Sequence, residues 1–297
     1  MLVSQAAASQ LPALRQLCRV SLEHDPDAAE LPVSLWGNPE SASEHRLVVA
    51  SRKEVMGAVF GSLRSTDRDG IGWVDLIAVA PQYRGRGIAR ELLAQLESSL
   101  TRAGAKELRL GGNGRCQAWP GVDVRYTPAL CLAGSSGYQR HREAVTLTVD
   151  LARSDLEVPD DERALRAQGI QMHRLRQLEE DRFRRWAVTH FSEHWAWQAL
   201  TALRRKPSGV HVAVRDGEYL GFACHGVTRP GWCGPLGVAE PVRGLGIGAV
   251  LLRRCLADQR LAGHRSVQML AASSLQFYAR AVGATVDRVF WSYRKQL

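Results

Sequence analysis

The sequence predicts an α+β protein made of two tandem copies of one domain, each a twisted, mostly antiparallel mixed sheet flanked by helices. The first observation is an internal repeat, because residues 72–93 (GWVDLIAVAPQYRGRGIARELL) align without a gap with residues 231–252 (GWCGPLGVAEPVRGLGIGAVLL). The second is the order of patterns, since in each copy several short β-rich runs precede a glycine-containing turn that opens directly into a helix. Such an order is typical of an α+β domain.

Each copy starts with a helix and continues with strands separated by turns. Apolar residues recur at helical spacing over residues 9–22 and 178–191. β-Rich runs follow, with polar turns such as DGE at residues 216–218 between them, as a hairpin requires. These runs are RLVVAS, VMGAVFGSL and GWVDLIAVA in the first copy, and VHVAVRD, YLGFACHGV and GPLGVA in the second. Both copies end in a further β-rich run, at residues 143–151 and 287–297.

A polar segment separates the two copies. Residues 152–168 contain a proline and an acidic run and lack a sustained apolar face, which indicates a linker with at most a short helix. We therefore expect an N-terminal domain over residues 1–151, the linker over residues 152–168 and a C-terminal domain over residues 169–297.

The composition narrows the class of protein. With 45% hydrophobic and 23% charged residues among 297, the chain has the balance of a soluble globular protein. It contains neither an apolar run of bilayer length nor a signal-peptide pattern, so we expect a cytoplasmic protein without a membrane partner. The net charge of +9 comes from arginines spread along the chain, which is weak evidence for a nucleic-acid partner.

Metal binding is not expected. The six cysteines are scattered and form no C-x-x-C pair, which argues against a zinc site or a disulfide framework. Residues 190–194, HFSEH, match the H-x-x-E-H zinc pattern, which would place His190 and His194 on one face of a helix. No accompanying domain pattern follows, and the repeat explains this region as the opening helix of the second copy.

The repeated glycine turn is the strongest functional signal. It opens a helix, whose first N–H groups have no partner within the helix and carry a partial positive charge. Gly85 and Gly87 let the backbone bend and let a ligand approach, so the turn predicts a phosphate cradle with Arg84 and Arg86 at its rim. The second copy offers the corresponding residues Arg243, Gly244, Gly246 and Gly248.

Two other phosphate motifs do not fit these turns. A P-loop requires a lysine after its last glycine, and neither turn has one. A dinucleotide-binding fingerprint requires G-x-G-x-x-G/A after the first strand of its unit, with an acidic residue about 20 positions further on. Arg90 breaks the match in the first copy, and His264 stands where the second copy needs the acid.

The turn and its setting resemble the GNAT superfamily of acyl-CoA transferases, including its tandem, two-copy members. The family signature is Q/R-x-x-G-x-G/A between a strand and a helix, and residues 82–87, QYRGRG, match it. Residues 241–246, PVRGLG, match it except for Pro241 at the first position. Residues 276–284, QFYARAVGA, are similar to the late helix and glycine that end such domains.

The resemblance implies that the turn holds the pyrophosphate of acetyl-CoA and that the preceding strand pairs with the pantetheine arm through its backbone. The cofactor-binding residues implied in the first copy are Ile77, Ala78, Val79, Gln82, Arg84, Gly85, Arg86, Gly87, Ile88 and Ala89. Those implied in the second copy are Leu236, Gly237, Val238, Arg243, Gly244, Leu245, Gly246, Ile247 and Gly248.

The resemblance also points to a catalytic acid in the second copy. Tyr278 lies in the late helix, where the family often places the tyrosine that protonates the leaving thiolate. Its alternative role is that of a core aromatic residue beside Phe277. Leu132 aligns with Tyr278 in the first copy.

The candidate general base belongs to the first copy. Asp75 lies in the strand before the first turn, from which the family often takes its basic carboxylate, and strand alternation places it on one face with Trp73 and Ile77. Gly234 stands in its place in the second copy. One active copy beside one binding or vestigial copy, or a composite site, would both explain this division.

Acceptor residues are expected in the loop of residues 111–128, which contains glycine and proline and resembles a loop of some two-copy members. Trp119, Arg125 and Tyr126 are the candidates in it. Trp195, in the opening helix region of the second copy, either lines an acceptor cleft or packs against neighbouring helices.

The residues and the resemblance together predict transfer of an acetyl group from acetyl-CoA to a primary amine of a small molecule or peptide. The amine would attack directly, without a covalent enzyme intermediate. The alternative is a non-catalytic acyl-CoA-binding or partner-binding module on the same scaffold, because neither copy has both the carboxylate and the tyrosine. The oligomeric state is not predicted.

Overall fold

The computed structural model describes residues 3–37, 45–50, 54–63, 70–113, 118–227, 229–269 and 274–297. Contacts divide the chain into two compact units. The first unit comprises Met1–Ala144 and Val289–Leu297, and the second comprises Val145–Arg288.

Helices and strands follow the repeated order that the sequence predicts. In the first half of the chain they are β1 (Val3–Gln5), α1 (Leu11–Ser21), α2 (Leu31–Gly37), β2 (His45–Ala50), β3 (Val55–Leu63), β4 (Ile71–Val79), α3 (Ile88–Arg102), β5 (Glu107–Leu110), β6 (Val122–Asp123), α4 (Thr127–Ser135) and β7 (Gln139–Asp150). In the second half they are α5 (Pro159–Ala167), β8 (Gln171–Arg174), α6 (Glu180–His190), α7 (Glu193–Arg204), β9 (Gly209–Arg215), β10 (Glu218–His225), β11 (Trp232–Val238), α8 (Ile247–Leu261), β12 (Ser266–Met269), α9 (Leu275–Val282) and β13 (Thr285–Gln296).

Each unit contains a mixed, mostly antiparallel sheet, which confirms the predicted fold class. The strand order is β1-β2-β3-β4-β5-β13 in the first unit and β7-β12-β11-β10-β9-β8 in the second, with the short strand β6 beside β13. Two pairs run parallel, β4 with β5 and β11 with β12. These pairs occupy equivalent places, so the two sheets share one topology, as the internal repeat predicts.

The end of the last strand belongs to the first unit. β13 pairs with β5 between Tyr293 and Gln296, and in the second unit β7 pairs with β12 between Leu147 and Asp150. The sequence assigns residues 287–297 to the second copy, because this β-rich run closes the second half of the chain. Residues 143–151 have a similar strand pattern, so the sequence does not show which of the two runs pairs with β5. The domain boundaries at residues 151 and 168 therefore stay predictions.

The predicted linker contains a short helix, α5. Leu156 and Leu165 from this segment are buried in the hydrophobic core of the second unit. Arg253 of α8 forms an ion pair of 2.7 Å with Asp161 of α5. These contacts attach the segment to the second unit along its length.

Helices cover both faces of the first unit's sheet. On one face, Leu14 of α1 packs with Phe60 and Leu76 of β3 and β4. On the other, Leu92 of α3 packs with Val74. Buried residues in α1 and α3 recur every three or four positions, which places them on one side of each helix. β4 is therefore held between two cores, and this fixes the turn that follows it.

Aromatic side chains fill the corresponding layer of the second unit. Phe191 stacks on Trp195 at 5.2 Å between ring centroids. Both rings also contact Phe222 of β10, at 5.5 Å and 6.1 Å. Trp195 therefore packs within this aromatic cluster, the second of the two roles considered for it.

The H-x-x-E-H pattern does not lie on one helix, so the shared helix face expected for its histidines is wrong. α6 ends at His190, and Ser192 is the N-cap of α7, accepting the Trp195 N–H at 3.1 Å. His194 therefore lies in the first turn of a new helix, α7. Across the described residues, no group of three or more His, Cys, Asp or Glu side chains is arranged to hold a metal ion.

A buried histidine in the second unit makes its stability pH-dependent. His211 Nε2 lies 2.6 Å from Asp258 Oδ2, which also contacts His225 at 3.3 Å and Arg174 at 2.5 Å. Burial lowers the pKa of His211 despite the hydrogen bond to Asp258. Below pH 6.5, the ordinary histidine pKa, His211 is protonated in the unfolded chain but stays neutral in the folded chain. The free energy of unfolding therefore falls with falling pH.

We expect His211→Asn to weaken this dependence. The wild-type chain should lose more unfolding free energy than the variant between pH 7.5 and 5.5, measured by urea denaturation. Asp258 does not titrate between pH 7.5 and 5.5 and so does not contribute to this pH dependence. Burial raises its pKa, but hydrogen bonds from the histidines outweigh burial and hold the pKa below the ordinary value. The exposed His190→Asn variant is the control, and equal pH dependence in all three proteins would contradict the assignment.

Candidate functional site

β4 and β5 separate part-way along their length. They pair from Ile71 to Val74, and a last hydrogen bond runs from the Gly111 N–H to the Val74 carbonyl at 3.1 Å. β4 then continues to Val79, pairing with β3 alone within the described part of the chain. This opening between two strands is the split of the first unit.

β4 presents alternate backbone groups to the split. In antiparallel pairing, one residue exchanges both hydrogen bonds with the neighbouring strand, and the next faces away from it. The Ala80 N–H donates to the Met56 carbonyl of β3 at 2.9 Å. Ala78 therefore also faces β3 with its backbone, whereas Ile77 and Val79 turn their N–H and C=O groups toward the split.

The glycine turn has the same backbone conformation in both units. Gly85 and Gly87 have φ of 76° and 79°, and Gly244 and Gly246 have φ of 88° and 87°, values that residues with a side chain rarely adopt. A Cβ added at any of the four would meet no atom within 4 Å. Because α3 and α8 follow without a side-chain N-cap, their first N–H groups face this open space.

Arg84 fastens the first turn to the strand before it. Its Nε donates to the Val79 carbonyl at 3.3 Å, and its guanidinium donates to the Ser21 carbonyl at the end of α1 at 3.0 Å. Arg243 repeats the first of these contacts, donating to the last carbonyl of β11 at 3.1 Å. Both arginines hold the turn in shape and bring positive charge close to it.

The other predicted turn residues lie around the cradle. Arg86 is exposed, with its guanidinium 5.3 Å from the ring centroid of Tyr83. Gln82 is also exposed, whereas Ile88 is buried in the core beneath α3. In the second unit, Leu245 is exposed, Ile247 is buried and Gly248 is half-buried.

A cleft of about 880 Å³ adjoins the first turn, a volume within the usual range for small-ligand sites. The turn glycines, the split end of β4, helix α4 and the connection between α1 and α2 line it. Asp75, Trp119, Arg125 and Tyr126 line it too. One cavity therefore joins the glycine turn, the candidate base and the three candidate acceptor residues.

Asp75 occupies a β-bulge in β4. Phe60 pairs with Leu76 and the next residue of β3 pairs with Val74, so Asp75 is the extra residue. It is 4% exposed, and its Oδ1 accepts a hydrogen bond of 2.9 Å from Asn113, which also donates to Ser62. These contacts fix the carboxylate at the wall of the cleft.

The bulge corrects the predicted strand face. Because one residue is inserted, Val74 and Ile77 both pack on the α3 side of the sheet. Asp75 instead points to the side of Ser62, which pairs with Trp73. The expectation that Asp75 and Ile77 share a face of the sheet is therefore wrong. Asp75 and Trp73 do lie on the same face, as expected.

The acceptor loop, residues 118–126, contains two more carboxylate contacts that sequence reasoning missed. Arg125 makes a two-pronged ion pair with the buried Asp123, with a shortest distance of 2.7 Å. Trp119 and Tyr126 both bond to Asp25 of the α1–α2 connection. The missed residues, Asp25 and Asp123, are isolated acids in the sequence, a pattern too common to signal a site.

Tyr278 lies in the second unit, half-buried against its core. Its ring meets Phe277 edge-on at 5.0 Å. Burial raises the pKa of the phenol well above the usual range. In the first unit, Leu132 lines the cleft at the aligned position, so the carboxylate and the phenol belong to different units, as the sequence predicts.

In the second unit, β11 pairs with β12 only at Trp232 and Cys233, which leaves a corresponding split, and aromatic rings lie against the face of β11 beyond this pairing. By strand alternation, Leu236 and Val238 face this split and Gly237 pairs with β10. A Cβ at Gly237 would lie 2.6 Å from the Phe191 ring and 2.9 Å from the Trp195 ring. The connection that corresponds to the α1–α2 connection of the first unit is short here, since two residues join α6 to α7.

Across the described ranges, no helix combines the length and the apolar character needed to cross a bilayer.

Comparison with known proteins gives a family and several similar structures. A model of the acetyltransferase (GNAT) family matches residues 11–118 and 172–284. A GCN5-related N-acetyltransferase from Sphaerobacter thermophilus is 22% identical with a TM-score of 0.73, over 99% of this chain and 95% of that chain. A tandem GNAT protein from the clavulanic acid biosynthesis pathway is 18% identical with a TM-score of 0.74, over 99% and 98%.

A third similar structure is part of a larger protein. It is described as a GCN5-related glucosamine N-acetyltransferase region in a fungal multi-domain β-N-acetylglucosaminidase, with 16% identity and a TM-score of 0.79. It covers 99% of this chain, which spans 38% of that protein. No curated protein matches the sequence. At these identities, the structural likeness supports the fold alone.

Proposed function

The chain belongs to the acetyltransferase (GNAT) family, and on that premise we propose that its first unit transfers an acetyl group from acetyl-CoA to a primary amine of a small molecule or peptide. The observation that supports this proposal is that one cleft is lined by the open glycine turn, the split end of β4 and Asp75. The second unit has Gly234 in place of the carboxylate, and aromatic rings pack on the face of β11 at Gly237, so we assign donor and acceptor to the first unit.

The first unit suits the diphosphate and the arm of acetyl-CoA. N–H groups at a helix start accept phosphate oxygens, and the space that a Cβ at Gly85 or Gly87 would enter is open. Ile77 and Val79 would offer backbone groups to the amides of the pantetheine arm. Bound acetyl-CoA supplies an activated acyl thioester, and the proton transfers are left to the protein and water.

Asp75 is the proposed base for the incoming amine. A protonated amine has no free electron pair, so a neighbouring group must accept its proton before attack. The carboxylate lines the cleft and is oriented by Asn113. Leu132 cannot donate a proton, so we assign protonation of the leaving thiolate, with a thiol pKa of about 8.5, to water. The catalytic role that the sequence predicts for Tyr278 is not part of this proposal, which places the reaction in the first unit.

An amine panel tests this function. The panel contains 1,4-diaminobutane, glycinamide, a lysine-containing peptide and glucosamine, which is included because the similar fungal region is described as a glucosamine N-acetyltransferase. We expect thiol release with at least one amine, matched by an equal amount of N-acetylated product in mass spectrometry. Calorimetric titration should give one bound acetyl-CoA per chain.

A non-catalytic acyl-CoA-binding module is the second candidate function. The observation that favours it is Leu132, which lines the cleft at the position aligned with Tyr278 and has no proton to donate. Binding of acetyl-CoA without product from any amine of the panel would support the module and overturn the transferase.

A further inference from the structure

The connection between α1 and α2 carries a buried carboxylate that the proposed reaction does not use. Asp25 is 3% exposed. Its Oδ1 accepts the Trp119 Nε1–H at 3.1 Å, and its Oδ2 accepts the Tyr126 hydroxyl at 2.8 Å. One carboxylate thus holds two cleft-lining aromatic residues that are 94 and 101 positions away in the sequence.

The same connection holds Tyr126 from a second direction. The Tyr126 hydroxyl accepts the backbone N–H of His24 at 3.0 Å, and the two rings lie 5.0 Å apart, tilted by 52°. The hydroxyl therefore donates to Asp25 and accepts from His24, which fixes the direction of its proton. The two hydrogen bonds thus hold the Tyr126 hydroxyl from two sides.

The acceptor loop is attached separately at its other side. The Ser292 hydroxyl donates to the Pro120 carbonyl at 2.9 Å, and the Val124 N–H donates to the Val289 carbonyl at 3.0 Å. Removing the Asp25 carboxylate would therefore release the two aromatic side chains without detaching the loop from β13. The position of the cleft wall and the fold of the unit can thus be separated by experiment.

We propose that Asp25 is a positioning residue for the acceptor, which fixes Trp119 and Tyr126 as one wall of the cleft. The proposal rests on the acetyltransferase function assigned to the first unit. A carboxylate suits this role because each of its oxygens accepts one donor, whereas an amide in its place presents an N–H to one of them. Asp25 itself touches neither donor nor acceptor and acts through the two aromatic residues.

The test compares Asp25→Asn and Asp25→Ala with Tyr126→Phe, which removes the hydroxyl and keeps the ring. Glu30→Gln is the control, because Glu30 lies close along the chain and makes an exposed ion pair with Arg15. Acetyl-transfer kinetics with glucosamine and 1,4-diaminobutane give KM and kcat separately. Hydrogen–deuterium exchange of residues 118–126 reports the order of the loop without requiring activity.

We expect both Asp25 variants to raise the acceptor KM about tenfold or more, with faster exchange in residues 118–126 and an acetyl-CoA Kd within about twofold of wild type. The double variant Asp25→Asn/Tyr126→Phe should raise the acceptor KM by less than the product of the two single-variant factors, because both changes break the same hydrogen bond. Faster exchange with an unchanged KM would overturn the proposal by making Asp25 merely structural, as would unchanged exchange in both variants. If wild-type protein acetylates no amine, the proposed function fails, and exchange alone then decides whether Asp25 fixes the loop.

Discussion

Replacing Gly85 with valine is expected to raise the dissociation constant of acetyl-CoA by roughly 100-fold or more, the loss of about two charged hydrogen bonds. Gly85 has φ of 76°, a conformation in which a β-branched residue is strained. Its side chain would also enter the open space that the N–H groups of α3 face. Isothermal titration calorimetry with acetyl-CoA measures this loss directly.

Two matched variants separate strain from loss of the cradle. Gly104→Val places the same side chain at φ of 102°, also with no atom within 4 Å of its Cβ, at the far end of α3. It should lower the melting temperature and leave the acetyl-CoA Kd unchanged. Gly244→Val in the second turn should also leave the Kd unchanged, and a loss of binding there would show that the donor was assigned to the wrong unit.

Asp75→Asn is expected to lower kcat on the order of 100-fold or more, the usual range for loss of a general base. An asparagine keeps the volume and the oxygen that accepts from Asn113, so the acetyl-CoA Kd and the melting temperature should stay close to wild type. The variant should regain activity as the pH approaches the pKa of the amine itself, about 10 for a lysine-type amine such as that of the peptide. Steady-state kinetics between pH 7 and 9.5 measure both effects.

Tyr278→Phe is the companion to this variant. Because Tyr278 packs against the core of the second unit, removing its hydroxyl should leave kcat within about twofold of wild type. A large fall in kcat would instead assign the phenol a part in the reaction, and an unchanged kcat in Asp75→Asn would place the base elsewhere.

The fold and the turn could be predicted because they depend on local patterns. Helical spacing placed α1 and α3, and two glycines before a helix sufficed to locate the turn, since a backbone with positive φ favours glycine. The repeat made each copy a check on the other. The family resemblance drawn from those residues is confirmed by the family match over both copies.

The missed features depend on contacts between distant segments. The bulge at Asp75 arises from pairing with β3, so simple alternation along β4 assigned the wrong face relative to Ile77. Asp25 becomes notable only when the fold brings Trp119 and Tyr126 to it. The partner of β5 is likewise set by tertiary contacts, because two strand-like runs compete for the same edge.

The membership of β13 also sets a limit during synthesis. A nascent chain that has emerged as far as Arg288 already contains the glycine turn, Asp75 and Asp25, but β5 still has an uncovered edge and the acceptor loop lacks its anchor. Exposed strand edges invite pairing with other chains. Residues Val289–Leu297 therefore seal this edge, so a chain that lacks them is expected to aggregate more readily than the full chain.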